Sequence, residues 1–113
     1  RHMPQFLEKA GVWSHRVVVV EQSQRGLFNK GLMFNVGVKH AEAIGCDYMV
    51  MNDVDHLPIE PKNNHAFPDV PVHLCTKTDM KGFKLYERMV GGALLVTLEQ
   101  YKKFNGYSNM VLP

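Results

Sequence analysis

Two short apolar runs bracket a capped helical stretch, and this spacing narrows the folds open to the chain more than any other feature. The first run, Val17 to Val20, is wholly β-branched and too short for a helix, the pattern of a strand buried on both faces. A polar loop, Glu21-Gln22-Ser23-Gln24-Arg25-Gly26, follows it. Asn29 then suits a helix cap, with a helix predicted from about Lys30 to Ile44 and a stop at Gly45. Tyr48-Met49-Val50-Met51 is the second run. Strand, helix and strand in this order predict a parallel pair joined by a right-handed crossover, hence an α/β fold. Leu32, Val36 and Ala43 share one face of the helix and Phe34, Val38 and Ala41 form a second stripe, so cover is expected on more than one side. Gly31 and Gly37 weaken the helix and suggest close approach of backbone.

The acidic pair Asp53-Val54-Asp55 falls at the carboxyl end of the second run. In an extended backbone, side chains at i and i+2 point the same way, so both carboxylates would face one cavity. Such oxygen donors suit a hard divalent cation, Mg²⁺ or Mn²⁺, that also binds phosphate. Asp-x-Asp by itself is a weak signal, more often a solvated turn than a site. Its position favours a site, because open α/β sheets gather ligands beyond the carboxyl ends of their strands. His56, next in the chain, is within reach of a metal or a phosphate by its position, but would point to the opposite face if the backbone stayed extended.

Elsewhere the punctuation is clear. Arg1 to Lys9 reads as helix. Leu57 to Asn64, rich in Pro and Asn, is a loop, and Pro68 and Pro71 flank a short strand, Val72-His73-Leu74-Cys75. Thr76 to Lys84 is a second polar loop. Gly91-Gly92 leads into the apolar strand Ala93-Leu94-Leu95-Val96; the glycines suit either a bulge or the close approach of a ligand to backbone. Leu98, Tyr101 and Phe104 are spaced for one face of a short helix, ended by Asn105-Gly106.

A formal net charge of +2 with no run of Lys or Arg argues against a nucleic-acid partner. The 6 His lack the spacing of a zinc site, and the 2 Cys, Cys46 and Cys75, are expected as free buried thiols. No stretch approaches the ~20 apolar residues of a membrane span, so no membrane contact is expected from this segment, and no leader opens it. The chain starts inside a helix and stops in an apparent loop, which suggests a fragment.

A series of short motifs runs along the chain. They are Val19-Val20-Glu21-Gln22, Leu27-Phe28-Asn29-Lys30-Gly31, Phe34-Asn35-Val36-Gly37, Asp47-Tyr48 leading into Asn52-Asp53-Val54-Asp55-His56-Leu57-Pro58, Val90-Gly91-Gly92, and Phe104-Asn105-Gly106-Tyr107-Ser108-Asn109. Their order from Val17 to Asn109 resembles the β-1,4-galactosyltransferase family, glycosyltransferase family 7. Met51-Asn52-Asp53-Val54-Asp55, Ala66-Phe67-Pro68 and Gly106-Tyr107-Ser108-Asn109 are most similar to its xylosylprotein galactosyltransferase branch.

The resemblance implies a partial GT-A (nucleotide-diphospho-sugar transferase) fold, with a mostly parallel or mixed central sheet flanked by helices. It implies inverting transfer of galactose from UDP-galactose to the 4-hydroxyl of an acceptor sugar, with Mn²⁺ as cofactor and Mg²⁺ as the alternative. The acceptor would be xylose of a proteoglycan linkage region, or N-acetylglucosamine, on a glycan or glycoprotein. Carried over by motif, Asp55 is the metal ligand, while Asp53, Val54, Phe28, Lys30 and Gly92 line the donor and nucleotide side. Tyr86 and Gly91 are the acceptor-side candidates, and Met89-Val90 stands where relatives carry an aromatic residue. Lys30 stands where relatives carry Arg, so a point charge replaces a planar, bidentate group.

The family's arginine-containing nucleotide loop, its Trp-Gly stretch, the acidic run with the catalytic base and a downstream metal-binding His have no counterpart in these residues. Residues 1–113 are therefore expected to be part of one GT-A domain, with the base beyond Pro113. The alternatives are a related transferase using UDP-N-acetylgalactosamine, or a non-catalytic remnant that binds a nucleotide sugar or carbohydrate. The Golgi or secretory-pathway lumen, as part of a type II membrane protein, is the setting that the resemblance implies.

Overall fold

The computed structural model describes residues 1–79, 82 and 91–110. In chain order these form α1 (His2–Lys9), α2 (Lys30–Ala43), β1 (Tyr48–Asn52), β2 (Val72–His73), β3 (Ala93–Thr97) and α3 (Leu98–Lys103). The sheet has the order β1-β3-β2, and both pairings are antiparallel.

The first correction concerns the sheet. Val17 to Val20 lies outside any strand, and Val17, Val18 and Val19 are 51%, 44% and 80% exposed. Val20 does reach α2, where its Cγ2 would stand 3.3 Å from a Cβ placed on Gly37. The expected parallel pair is therefore absent among the described residues, and β1 pairs instead with the more distant β3. Local pattern identified an apolar extended segment, but pairing is a non-local property that pattern does not carry.

Register explains the core. Met49 stands opposite Val96 and Met51 opposite Leu94, so alternate residues of the two strands share one face. Val38 of α2 and Tyr101 of α3 join Met51 and Val96 there, with Phe34, Met49, Leu94, Leu98 and Tyr107 packed against them. Thus the Phe34–Val38 stripe of α2 is covered, whereas Leu32, Val36 and Ala43 are exposed, correcting the expectation of cover on both. The 57–70 loop meets Tyr48 of β1, and α1 packs on that loop. Tyr48 donates its hydroxyl to the His65 carbonyl at 2.8 Å, and the buried Phe6 of α1 meets the His65 ring edge-on.

The helix ends follow the sequence closely. The Asn29 side chain accepts from the Leu32 amide at 2.9 Å, capping α2, while its own amide group donates to the Asn109 carbonyl. Gly45, at φ +78°, closes α2 with the Cys46 amide donating to the Ala41 carbonyl. Thr97 and Gln100 form a reciprocal capping box at the start of α3. Phe104 is 45% exposed, so only Leu98 and Tyr101 of the expected α3 stripe face the core.

The close approach expected at Gly31 is real, since a Cβ there would overlap the Ser108 carbonyl oxygen. Asn35 draws the same 107–109 segment in, donating to the Tyr107 carbonyl at 2.9 Å and to the Asn109 side chain at 2.6 Å, and accepting from the Tyr107 amide at 3.1 Å. The motifs around Phe34-Asn35 and Gly106-Tyr107-Ser108-Asn109 are therefore two halves of one contact. Both thiols are free and half-buried rather than fully buried.

Candidate active site

Three chain ends meet at one edge of the sheet. In register, the last residue of β1, Asn52, faces the first of β3, Ala93. Leu74, just past β2, donates its amide to the Ala93 carbonyl at 2.9 Å. Asp53 after β1, Gly92 before β3 and Cys75 beyond β2 are thereby brought side by side, and the Asp53 amide donates to the Gly92 carbonyl at 2.7 Å. The antiparallel arrangement thus leaves the acidic pair at a strand's carboxyl end and adds two further strand ends beside it.

The backbone turns here rather than extending. The His56 amide donates to the Asp53 carbonyl at 3.0 Å, and the Asn52 side chain donates to the carbonyls of both Asp53 and His56 at 2.7 Å. Asn52 therefore braces the turn from inside. Val54 sits at its apex, 91% exposed. The turn also reverses the expectation for His56. Instead of facing away, it comes back to Asp53, and ligand atoms of Asp53, Asp55 and His56 all lie within 4.8 Å of one another. The Asn52-Asp53 pair, both turn formers, was the available signal that the strand stops before the motif.

Lys30, at the start of α2, supplies the positive charge. Its Nζ lies 2.6 Å from one Asp53 carboxylate oxygen and 2.7 Å from the other, and 5.7 Å from the Phe34 ring centroid. With Lys30 half exposed, this pair contributes only about 0–1 kcal/mol to stability. Its larger effect is to fix and neutralise Asp53. Asp55, on the exposed side of the turn, keeps its carboxylate open.

His56 Nδ1 is buried and has no hydrogen-bond partner among the described residues; an Asp53 carboxylate oxygen is 3.7 Å away. Leaving such an atom unsatisfied costs about 1–3 kcal/mol, so it calls for a partner. Gly92 backs onto it. At φ +92°, a Cβ on Gly92 would fall 2.9 Å from Cys75 Sγ and 3.1 Å from His56 Nδ1. The missing side chain at Gly92 thus makes room for the chain's own residues. Burial, with the Asp53 carboxylate adding to it, pushes the Cys75 thiol above its usual range and keeps it protonated and inert. Burial likewise raises the Tyr107 phenol, while Lys30 pulls it down and Asp53 pushes it up, so that ring shares the electrostatic neighbourhood of the site.

The remaining candidates are more scattered. Phe28 is 70% exposed on the loop leading into α2. The Gly91 carbonyl accepts from His73 Nε2. Tyr86, Met89 and Val90 lie outside the described residues.

The mixed α/β frame is that of a GT-A glycosyltransferase, and in it the carboxylate pair at the carboxyl end of β1 stands beside a lysine of the adjoining helix. Residues 1–67 match the family described as the N-terminal region of glycosyl transferase group 7. The chain belongs to that family, and the resemblance to β-1,4-galactosyltransferases holds. It is 42% identical over 110 residues to a xylosylprotein 4-β-galactosyltransferase of Caenorhabditis elegans, covering 96% of this chain and 37% of that one. It is 37% identical to β-1,4-galactosyltransferase 7 of Drosophila melanogaster, covering 96% of this chain and 33% of the other. Its fold superposes with a TM-score of 0.83, at 35% identity, on a Drosophila β-1,4-galactosyltransferase 7 point mutant crystallised with manganese, UDP-Gal and xylobiose, covering 97% of this chain and 46% of that one. The chain thus spans about a third of the length of these curated relatives and just under half of that solved chain.

Proposed function

We propose that this chain forms the donor-binding part of a metal-dependent, inverting β-1,4-galactosyltransferase that takes galactose from UDP-galactose to the 4-hydroxyl of a xylose-bearing acceptor. One observation carries the reading. The Asp53, Asp55 and His56 donor atoms converge within 4.8 Å at the end of β1, in a fold that matches a transferase crystallised with manganese, UDP-Gal and xylobiose. Relatives named for galactose transfer favour that donor over UDP-N-acetylgalactosamine and a catalytic role over a binding remnant.

The donor set fits a divalent cation. It contains an exposed carboxylate on Asp55 and, on His56, a buried nitrogen without a hydrogen-bond partner among the described residues. Mn²⁺, when bound, supplies the positive charge that a departing diphosphate needs. Asp55 would hold it. Asp53, clamped by Lys30, offers a rigid acceptor for the uridine ribose, and Lys30 brings its charge to the phosphate side. Gly92 keeps the backbone of β3 close against the turn. An inverting transfer also needs a general base for the acceptor hydroxyl, and we assign that role to none of these residues. The enzyme would work in the Golgi lumen; no helix among the described residues is long and apolar enough to cross a membrane.

Calorimetry of Mn²⁺ and UDP binding tests the reading. Asp55→Ala should abolish metal-dependent UDP binding, and Asp53→Ala should weaken UDP itself. Wild-type binding in both variants would overturn the assignment of the site.

A further inference from the structure

We propose that the groove between α1 and Trp13 is a second carbohydrate-binding site, which holds a neutral, xylose-containing glycan by stacking it on the indole. The sugar class rests on the acceptor reading above; the groove itself uses no residue of the acidic turn.

The site begins with the way α1 ends. Gly11, at φ +82°, closes the helix in a Schellman motif, with the Val12 amide donating to the Leu7 carbonyl at 2.8 Å and the Gly11 amide to the Glu8 carbonyl at 3.0 Å. His15 Nδ1, 2.9 Å from the Val12 carbonyl, tightens the turn that follows. Trp13, held between these two turns, comes to lie beside α1, and with Gln5, Glu8 and Lys9 it lines a groove of about 490 Å³. That volume is within the range of ~300–1,000 Å³ usual for small-ligand sites. Gln5, Glu8 and Lys9 share one helix face at i, i+3 and i+4, while Phe6 and Leu7 are buried on the other, so the packing of α1 fixes which face meets the indole.

The lining identifies the ligand. Trp13 is 76% exposed, and its broad, rigid ring stands free to stack at little conformational cost. A pyranose offers such a ring an apolar face of C–H bonds. Around the indole, Glu8 provides acceptor oxygens, Lys9 a donor and Gln5 both, which matches the hydroxyls at a sugar's rim. None of these four side chains makes a hydrogen bond or ion pair among the described residues, so their bonding capacity is available to a ligand. The opposite charges of Glu8 and Lys9 leave the groove without net charge, which favours a neutral glycan over a phosphorylated or sulfated one. Gln5 and Lys9 also line a smaller groove of about 140 Å³ with Ile59 and Pro61, a place for the next sugar of the chain. That direction leads to the loop after the acidic turn, where His2 Nε2 contacts the Pro58 carbonyl at 2.6 Å.

Trp13 is the one tryptophan of the chain, so its fluorescence reads this groove. Titration with xylotriose, in the absence of Mn²⁺ and UDP, should give a saturable blue shift of the emission. Gln5→Ala and Glu8→Ala, both at exposed positions of α1, should weaken the response, Glu8→Ala by about 10-fold or more, as the loss of a charge-assisted hydrogen bond implies. Asp55→Ala should leave it unchanged. No saturable shift, or an affinity unaltered in both α1 variants, would overturn the proposal. So would a shift that disappears in Asp55→Ala, which would place the sugar at the acidic turn. A stronger response to heparin, abolished by salt, would assign the groove to anions and overturn the neutral ligand. Because metal and donor are left out of the titration, failure here leaves the transfer reading standing, and wild-type UDP binding in Asp55→Ala would leave the groove standing.

Discussion

The Val17–Val20 run and the Asp53–His56 turn contrast sharply in what their sequences promise and where they end up. The valine run has strong strand propensity and is largely exposed outside any strand. The acidic turn is a weak three-letter pattern, yet Asn52, Lys30, Gly92 and Cys75 all converge on it. Propensity describes what a segment tolerates; partners decide what it does. A strand needs a neighbour with matching register, and the described residues offer the valines none. The turn acquires its neighbours because β1 pairs with β3, which carries Gly92 to it from far along the chain.

If this contrast is sound, cutting the β1–β3 core should do the most damage. Leu95, 2% exposed, stands opposite both Val50 and Val72, so Leu95→Ala should cost about 2–5 kcal/mol of stability in a denaturant titration. A cost under ~1 kcal/mol would mean that the sheet is not what organises the site. Lys30 tests the turn's charge balance. Lys30→Ala should weaken UDP binding by roughly 1.5–3 kcal/mol in calorimetry, while Lys30→Arg should keep it, as expected of a charge-assisted hydrogen bond. An effect on Asp53 alone, with UDP affinity intact, would reduce Lys30 to a clamp.

Gly92 probes the junction between strand end and turn. Gly92→Ala forces a side chain into φ +92° and against Cys75 and His56, so it should destabilise by about 1–3 kcal/mol and lower Mn²⁺ affinity at the same time. Stability loss with unchanged metal affinity would uncouple β3 from the site. The smallest effect belongs to the valine run. Val19, 80% exposed, should tolerate Val19→Ser within about 0.5 kcal/mol in thermal unfolding. A loss comparable to that of Leu95→Ala would reveal burial of this run and remove the contrast altogether.

The elements that could be read in advance depend on neighbours close in sequence. The Asn29 cap, the Gly45 stop, the short α3 with its Asn105-Gly106 end, and the apolar strands at Tyr48 and Ala93 are of this kind. So is the location of the acidic pair at the end of a strand. Capping, periodicity and glycine geometry act within about one helical turn, and a single sequence displays them in full. The family membership was also legible, because the order of motifs is itself a linear property.

Other features required the folded chain. The antiparallel order β1-β3-β2 depends on pairing between segments distant in sequence, and the parallel crossover suggested by the spacing has no physical cause without a partner for Val17–Val20. Lys30 meets Asp53 because the N-terminal end of α2 lies beside the carboxyl end of β1. His56 faces the carboxylates because Asn52 binds both carbonyls of the turn, a contact that reverses the alternation of an extended strand. Sequence by itself determined the donor types and their spacing. Tertiary structure decided which of these side chains lie together, since their grouping is a matter of angstroms and one turn of backbone is enough to change it.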